Sequence, residues 1–384
     1  MDLQKKLSEI KYYFPWYKGE GERLEDLPLL TGAFLNEFYY KYKPTDMCYV
    51  YETSGNASSG MRKKVFYSSM DESWWLDEKI KIFGEFLEGV EISRGIIDVG
   101  QGHVAKMAPS VLNRLNILNA CLDITEPLDH HIAVIKSFRP QLLYTSPTIL
   151  DSILYNLSEP HLIGIKKLII IGEIVTPEWM QRIASLFRID VKDIHINYGC
   201  TELGTLATYD HDHKMYVSVD GVVLESLECP LTSEGESMLV ASVWDRDTFP
   251  SLRFMTYDIV RNFIKTSYMG KTKYCFDNIV RRGGNEWKHG ELISLYDVEQ
   301  AVYHHLEKCV ISYRIENNCL TVRLKAKYLH DDVLDVICYD INHAIPEIGI
   351  MVANGLIPPI EVVRDSGRND SQEDWSYKKK VVIS

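Results

Sequence analysis

Two kinds of apolar pattern alternate through the first half of the chain. Between about residues 48 and 215, short β-like runs are separated by stretches with helical spacing of apolar residues. This alternation predicts a mostly parallel sheet covered by helices. The strands we expect are Cys48–Tyr51, Leu142–Tyr144, Lys167–Ile171 and Ile194–Ile196, and the helices include Leu76–Val90, Ala108–Ala120 and Pro177–Phe187.

The pattern changes after residue 215 and again after residue 290. Short strands separated by turns come first, and a compact α+β unit follows. The turn-like composition of 281–285 predicts a boundary there, so we expect domains at 1–280 and 281–384. The expected elements are strands Ser237–Trp244 and Ser251–Phe254, a helix over Ser294–Leu306, strands near 309–315 and 319–326, and a helix over Asp331–Ala344.

Composition narrows the class of protein. The 384 residues, 46% hydrophobic and 25% charged, are typical of a globular protein with two or three domains. A net charge of −12 argues against general attraction to nucleic acid or to anionic membranes. The start lacks a signal-peptide pattern, and no apolar run approaches the length of a membrane span. Eight scattered cysteines without a Cys-x-x-Cys pair indicate reduced thiols, so we expect a cytoplasmic protein.

A run of small and polar residues, Thr53–Gly60, directly follows the first expected strand. Glycines let amide hydrogens approach a phosphate, hydroxyls donate further hydrogen bonds, and the cations Arg62, Lys63 and Lys64 can neutralise triphosphate charge. The Walker pattern is absent. The alternative is a flexible surface loop. The candidate phosphate-binding residues are Thr53, Ser54, Gly55, Ser58, Ser59, Gly60 and Lys63.

The second motif, Tyr198–Glu202, follows the strand Ile194–Ile196. Open α/β sheets bind nucleotides just past the carboxyl ends of their strands. Tyr198 can stack on a purine, Thr201 can hydrogen-bond a phosphate and Glu202 can hold Mg²⁺. The alternative is a simple turn into a helix that is capped by Thr201.

Two further features are weaker. Asp258 comes after a β-like segment, and a carboxylate can accept hydrogen bonds from both ribose hydroxyls. Alternatively it is a solvated turn residue, with Arg253 nearby as an ordinary strand-edge cation. The lysines 378–380 are either a solvated charge run or the source of one cation that enters an active site.

In this order and at these separations, the motifs resemble those of the adenylate-forming superfamily of acyl-CoA synthetases, carrier-protein adenylation domains and luciferases. The phenylacetate–CoA ligase-like group is the branch that the chain resembles most. The matching segments are Leu27–Thr31, Thr53–Lys63 with Arg62 in place of proline, Gly172-Glu173, the complete motif Tyr198–Glu202, and Thr256-Tyr257-Asp258 with tyrosine in place of glycine.

The resemblance implies an α/β fold. A large N-terminal domain of two helix-flanked sheets with a distorted β-barrel would be joined to a small, mobile α+β C-terminal domain. It also implies that ATP and Mg²⁺ convert a carboxylic acid to acyl-AMP with release of pyrophosphate. The acyl group would pass to a thiol, most readily that of coenzyme A, with a carrier protein as the alternative acceptor. A monomer or homodimer with a role in secondary metabolism is expected.

The family's residue roles transfer position by position. The lysine of the adenylation step would be Lys378, and Arg281 would lie near the hinge. A flat pocket for an aromatic or medium apolar acid would be formed by Tyr144, Ser146, Pro147, Ile171 and Gly172, whereas ordinary core packing is expected for His103 and Met107. The nucleotide site would comprise Thr53–Gly60 and Lys63 together with Gly172, Glu173, Asn197, Tyr198, Gly199, Thr201, Glu202, Asp258 and Arg281.

Some positions depart from the family pattern. Gly283 and Gly284 stand where an aspartate usually follows the hinge arginine, and Tyr377 replaces the glycine before Lys378, so that Lys379 and Lys380 remain alternatives. Two other functions therefore stay open. One is a family member that binds nucleotide without catalysis, and the other is an enzyme that transfers the acyl group to a protein cysteine.

Overall fold

The computed structural model describes residues 2–41, 48–52, 63–229, 232–268, 270–282, 293–316, 319–355, 357–365 and 381–383. A π-helical segment, Asp340–Ala344, lies between the last two helices. The α-helices of these residues are α1 (Leu3–Tyr13), α2 (Gly32–Glu37), α3 (Ser69–Leu87), α4 (His103–Arg114), α5 (Leu128–Phe138), α6 (Pro147–Asn156), α7 (Pro177–Phe187), α8 (Leu295–His305), α9 (Asp331–Tyr339) and α10 (Pro346–Ala353).

Strands occur along most of the chain. They are β1 (Tyr49–Glu52), β2 (Lys64–Tyr67), β3 (Arg94–Asp98), β4 (Leu118–Cys121), β5 (Leu142–Thr145), β6 (Lys167–Ile171), β7 (Ile194–Cys200), β8 (Gly204–Asp210), β9 (Met215–Ser218), β10 (Val222–Leu227), β11 (Glu236–Val243), β12 (Phe254–Arg261), β13 (Ile264–Tyr268), β14 (Lys271–Phe276), β15 (Ile279–Arg282), β16 (Val310–Glu316), β17 (Cys319–Lys325), β18 (Glu361–Arg364) and β19 (Val381–Ile383).

The first compact unit comprises residues 1–91, 101–117 and 197–283. Its named strands pair antiparallel. Strands β1 and β2 form a hairpin, and β10-β11-β12-β15 form a four-stranded sheet. A second set of neighbours runs β13-β14-β9-β8 to the carboxyl end of β7.

The second compact unit comprises residues 92–100, 118–196 and 284–384. Four parallel strands lie in the order β6-β5-β3-β4. Strand β5 is buried at all four positions, as expected for a parallel strand covered on both faces. The C-terminal part adds the mixed sheet β18-β17-β16-β19 together with α8, α9 and α10.

Local sequence explains where the helices of this unit begin. The Ser146, Thr176 and Ser294 side chains accept hydrogen bonds from the first turns of α6, α7 and α8. Proline occupies the first position of α6 and of α7, where a missing amide hydrogen costs nothing.

The predicted fold class is confirmed, and several elements have the predicted bounds, including β6 and α7. Other details were wrong. The first expected strand, β1, pairs antiparallel with β2 instead of entering the parallel sheet. The expected helix 108–120 ends at Arg114, and residues 118–121 form strand β4. The segment 251–253 is not a strand, because β12 begins at Phe254. The domain boundary near 281 stays a prediction.

Candidate active site

The motif Tyr198–Glu202 lies at the end of β7 and in the turn that follows it. The turn leads into β8, which pairs antiparallel with β7, so the alternative of a turn into a helix is wrong. A bulge between Tyr198 and Gly199 shifts the register of the ladder. A β-carbon at Gly199 would lie 2.1 Å from the Gly204 carbonyl oxygen. Only glycine therefore fits at this point of the motif.

The motif Tyr198–Glu202 contacts Asp258 through the side chain of Tyr198. The Tyr198 hydroxyl donates to Asp258 Oδ2 at 2.7 Å, although 60 residues separate the two along the chain. Burial and the neighbouring carboxylate raise the pKa of Tyr198 well above its usual value, so it stays neutral. Asp258 lies within strand β12. The alternative that it is a solvated turn residue is therefore wrong.

The segment Leu27–Thr31 runs beside the start of β12. Leu30 donates its amide to the Arg253 carbonyl at 2.8 Å and accepts from the Met255 amide at 3.1 Å. The Arg253 guanidinium donates to the Leu27 carbonyl at 2.5 Å and to Glu225 at 3.1 Å. Arg253 is therefore not an ordinary edge cation, because it fixes the segment Leu27–Thr31 to the strand that carries Asp258.

Tyr257 stands at the position where the resembling motif Thr-Gly-Asp has glycine. Its backbone conformation and its hydrogen bond show how a tyrosine is accommodated there. Its φ is 63°, in the left-handed region that glycine adopts readily. The Gly32 amide donates to the Tyr257 hydroxyl at 2.8 Å, so the side chain fastens the start of α2 to β12. Tyr257 thus has a backbone conformation that glycine adopts readily, and its side chain adds a contact.

Two side chains that sequence reasoning missed hold the main chain of the Tyr198–Glu202 motif. The Tyr67 hydroxyl donates to the Thr201 carbonyl at 2.5 Å, and Arg246 Nε donates to the Glu202 carbonyl at 2.9 Å. Arg246 is fully buried and pairs with Asp71. No local pattern identifies these residues, because their partners lie far away along the chain.

The Glu202 side chain is half-buried, and no described residue forms a hydrogen bond or ion pair with its carboxylate. Carboxylate oxygen suits Mg²⁺, which usually keeps several water and phosphate ligands. No group of three or more histidine, cysteine, aspartate or glutamate side chains among the described residues could hold a metal. The Glu202 carboxylate thus offers an oxygen donor of the kind that Mg²⁺ accepts, and the remaining ligands would have to come from water or phosphate.

The predicted acyl-pocket residues lie in the second unit, at the carboxyl ends of β5 and β6. Tyr144 is fully buried, and Ser146 and Pro147 begin α6. The Glu173 carboxylate accepts from the Thr148 hydroxyl at 2.7 Å and from its amide at 3.2 Å, which satisfies the start of that helix. Ile171 ends β6, and Gly172 follows it with a φ of 87°.

Of the other predicted site residues, the structure describes Asn197, Lys63 and Arg281. Asn197 Oδ1 is buried without a hydrogen-bond partner among the described residues, and Lys63 is exposed with its Nζ 5.5 Å from the Tyr40 ring centroid. Arg281 pairs with Ile259 in the β12–β15 ladder. The residues that lie outside the described part of the chain are Thr53, Ser54, Gly55, Ser58, Ser59, Gly60, Gly283, Gly284, Lys378, Lys379 and Lys380.

His103 is packed in the first unit against the rings of Tyr51, Tyr67 and Trp75, with centroids 4.0–4.8 Å away. Burial, aided by the positive charge of Arg246, lowers the pKa of His103 to about 3, so the ring is neutral at neutral pH.

No helix among the described residues is long and apolar enough to cross a membrane.

Comparisons with known proteins find matches to two protein families. The AMP-binding enzyme family matches residues 117–238, and the fumarate–diaminopropanoate ligase C-terminal domain matches residues 288–367. The fumarate–(S)-2,3-diaminopropanoate ligase of Enterobacter agglomerans is 29% identical over 380 residues, which cover 94% of each chain.

Two solved structures share the fold. A 2-hydroxyisobutyryl-CoA ligase in the postadenylation state gives a TM-score of 0.76 at 14% identity, covering 100% of this chain and 88% of that chain. A benzoate CoA ligase from Burkholderia xenovorans gives 0.52 at 13% identity, with 81% and 65% covered. The family match, the relative and the shared fold thus all point to the adenylate-forming superfamily. The chain is an enzyme of the AMP-binding ligase type, and the predicted superfamily is confirmed.

Proposed function

We propose that the protein activates a small carboxylic acid with ATP and joins the acyl group to the amine of an amino acid. The observation that supports the first half is the hydrogen bond between Tyr198 and Asp258, the two residues that would contact adenine and ribose. The second half rests on the similarity, over 94% of the chain, to a ligase whose name gives fumarate and (S)-2,3-diaminopropanoate as its substrates. The match of residues 288–367 to the C-terminal domain of that kind of ligase supports the same acceptor.

In the first step a carboxylate oxygen attacks the α-phosphorus, and the bond to pyrophosphate breaks. In the second step the amine nitrogen attacks the acyl carbon, AMP leaves, and the nitrogen loses a proton. Most of the catalytic effect comes from positioning and from neutralisation of charge. Bound Mg²⁺ would neutralise phosphate charge beside Glu202.

We assign the remaining roles from the family motifs. Tyr198 would stack on adenine, Asp258 would bind ribose and Thr201 would hydrogen-bond a phosphate. Lys378 would offset the charge that develops at the α-phosphate. The β/γ-phosphates would be bound by Thr53–Gly60 and Lys63, with Gly172, Glu173, Asn197, Gly199 and Arg281 completing the nucleotide site and Tyr144, Ser146, Pro147 and Ile171 contacting the acid.

The family resemblance by itself favours coenzyme A as the acceptor and an apolar or aromatic acid as the substrate. We prefer an amino acid and a small dicarboxylic acid of the fumarate type, because the 29% identical relative is similar along almost its whole length. The CoA ligases share the fold at only 13–15% identity. Coenzyme A therefore enters the test as the competing acceptor.

The test measures pyrophosphate release from Mg·ATP with fumarate, succinate, benzoate and phenylacetate. Each acid is offered alone, with hydroxylamine, with (S)-2,3-diaminopropanoate and with coenzyme A, and products are identified by mass. We expect release that depends on the dicarboxylate, and an amide product with the diamino acid. A thioester as the main product would refute the amine acceptor. No release with any acid would refute adenylation of this panel.

Replacement of Glu202 by glutamine tests the metal role. We expect about a 100-fold loss of acid-dependent pyrophosphate release, since a lost metal or oxyanion contact is worth about 3 kcal/mol in the transition state. The control is Glu234→Gln, at an exposed turn position, which should act like the wild type. Normal turnover by Glu202→Gln at every Mg²⁺ concentration would show that this carboxylate does not bind the metal.

A further inference from the structure

A buried polar cluster lies against the main chain of Thr201 and Glu202. We call Tyr67, Asp71 and Arg246 the buried anchor. The three side chains are fully buried. The Arg246 guanidinium lies 3.9 Å from the centroid of the Tyr67 ring and forms an ion pair with Asp71.

Tyr67 and Arg246 of the buried anchor donate hydrogen bonds to main-chain carbonyls. Arg246 donates to the Phe66 carbonyl at 3.0 Å and to the Glu202 carbonyl at 2.9 Å. Tyr67 donates to the neighbouring Thr201 carbonyl at 2.5 Å. Consecutive carbonyls of the turn are thus held by two side chains that stack on each other.

Asp71 is itself immobilised. It closes a capping box with Ser68 at the start of α3 and accepts from the Asp247 amide at 2.7 Å and the Thr248 amide at 3.2 Å. Burial alone would raise the pKa of Asp71, but Arg246 and these donors bring it below its usual value. The carboxylate is therefore charged and keeps the guanidinium in one orientation.

A buried ion pair contributes little net stability, because desolvation offsets the attraction. An apolar cluster of similar volume would fill the same space but could not donate to two carbonyls. The retained charge is thus better explained by what it holds than by stability.

We propose that Tyr67 and Arg246 are positioning residues for nucleotide activation. By fixing the carbonyls of Thr201 and Glu202, they set the direction in which the Thr201 hydroxyl and the Glu202 carboxylate meet Mg·ATP. This role rests on the proposed function. A turn without these two bonds would keep its catalytic side chains but would have to order them during each turnover.

The test compares Tyr67→Phe with Tyr39→Phe. Tyr67→Phe removes only the donor to Thr201 and keeps the ring beneath Arg246. Tyr39 is a matched control, because it is also fully buried and its hydroxyl donates to the Thr248 carbonyl at 2.9 Å and accepts from the Phe66 amide at 3.0 Å. Both changes remove one buried hydroxyl, and we expect similar losses of thermal stability.

We expect Tyr67→Phe to lower kcat for acid-dependent pyrophosphate release about fivefold to tenfold and to raise the Mg²⁺ concentration for half-maximal rate. Tyr39→Phe should remain within about twofold of the wild type in both values. In the double variant Tyr67→Phe/Glu202→Gln, the two losses should be less than additive, since part of the effect of the hydroxyl is exerted through the Glu202 carboxylate. Equal kinetic effects of Tyr67→Phe and Tyr39→Phe, or additive losses in the double variant, would overturn the proposal.

Amide hydrogen exchange measures the stability of the turn independently of enzyme activity. Amides of residues 199–206 should exchange faster in Tyr67→Phe than in the wild type and in Tyr39→Phe. Unchanged exchange there would overturn the positioning role. If the wild type releases no pyrophosphate with any acid while exchange rises as expected, the proposed function fails and the structural anchor stands.

Discussion

Tyr257 occupies a backbone conformation that side chains with a β-carbon rarely adopt. Its φ of 63° costs about 1 kcal/mol relative to glycine. The hydroxyl offsets this cost by accepting from the Gly32 amide. The strand that carries Asp258 is thereby tied to the start of α2, and a departure from the family motif becomes a local stabilising contact.

Two substitutions separate the backbone effect from the contact. Tyr257→Gly and Tyr257→Ala both lose the ring and its hydrogen bond, and they differ mainly in how easily they adopt a positive φ. We expect Tyr257→Gly to be more stable than Tyr257→Ala by about 1 kcal/mol, measured by urea unfolding. Equal stabilities would show that the position does not require the left-handed conformation.

Among the elements, helix α5 is attached to the ends of two parallel strands by His131. Its Nδ1 lies 2.8 Å from Asp98 at the end of β3, and its Nε2 lies 3.0 Å from the Asp123 carbonyl after β4. Both neighbours can only accept, so both ring nitrogens donate and the imidazole is charged. Although burial opposes the charge, Asp98 and the Asp123 carbonyl raise the pKa of His131 above its usual value.

The raised pKa gives folding stability a pH dependence of known sign. The folded state holds this proton more tightly than the unfolded state, so the contribution is complete below about pH 6.5 and is lost as the pH rises through the folded pKa. We expect stability to fall between neutral and alkaline pH in the wild type and to fall less in Asp98→Asn.

The measurement is urea unfolding at a series of pH values above 6.5. His213→Gln is the control, because His213 forms a similar 2.8 Å pair with Asp210 on the surface, where solvent weakens it. This variant should follow the wild-type curve. A slope in Asp98→Asn as steep as that of the wild type would contradict a charged His131.

At the scale of the whole molecule, local signals predicted the fold better than the contacts within the site. Capping residues and apolar runs placed α7, α8 and β6 within a residue of their bounds. Whether residues after Tyr198 form a helix or a hairpin is decided by pairing with β8, and so the helical alternative was wrong. A short segment such as 118–121, with one polar residue among its four, fits a helix or a strand equally well.

Within the site, too, residues in short local patterns could be predicted, whereas residues defined by long-range contacts could not. Motif residues such as Tyr198 and Asp258 could be found because their chemistry is local to a short pattern. Arg246 could not, since its partners Phe66 and Glu202 lie 180 and 44 residues away. Its burial is a property of the assembled unit, and the sequence around it looks like an exposed turn.

The second unit joins the C-terminal segment to earlier helices through Asp151. This buried carboxylate on α6 accepts from Trp179 Nε1 at 3.2 Å, forms an ion pair with Arg182, and accepts from the Tyr303 hydroxyl at 3.1 Å. Arg182 also donates to the Glu307 carbonyl at 2.7 Å. Because Tyr303 lies on α8, loss of this cluster should loosen the C-terminal segment first.

We expect Asp151→Asn to cost about 3 kcal/mol, because it leaves the Arg182 charge buried without its counter-ion. Tyr303→Phe should cost about 1 kcal/mol, since it removes one hydrogen bond and keeps the ring beside Arg182. Tyr313→Phe is the matched control. It removes a buried hydroxyl that donates to Glu299 at 3.2 Å, entirely within the C-terminal segment. Urea unfolding gives the energies, and hydrogen exchange shows where the structure opens.

Faster exchange in α8 with unchanged exchange in β5 and β6 is expected for Asp151→Asn and, more weakly, for Tyr303→Phe. In Tyr313→Phe the increase should be confined to α8 and β16. If Asp151→Asn opens the parallel strands as much as α8, the cluster stabilises the unit as a whole, and it does not serve as the attachment of the C-terminal segment.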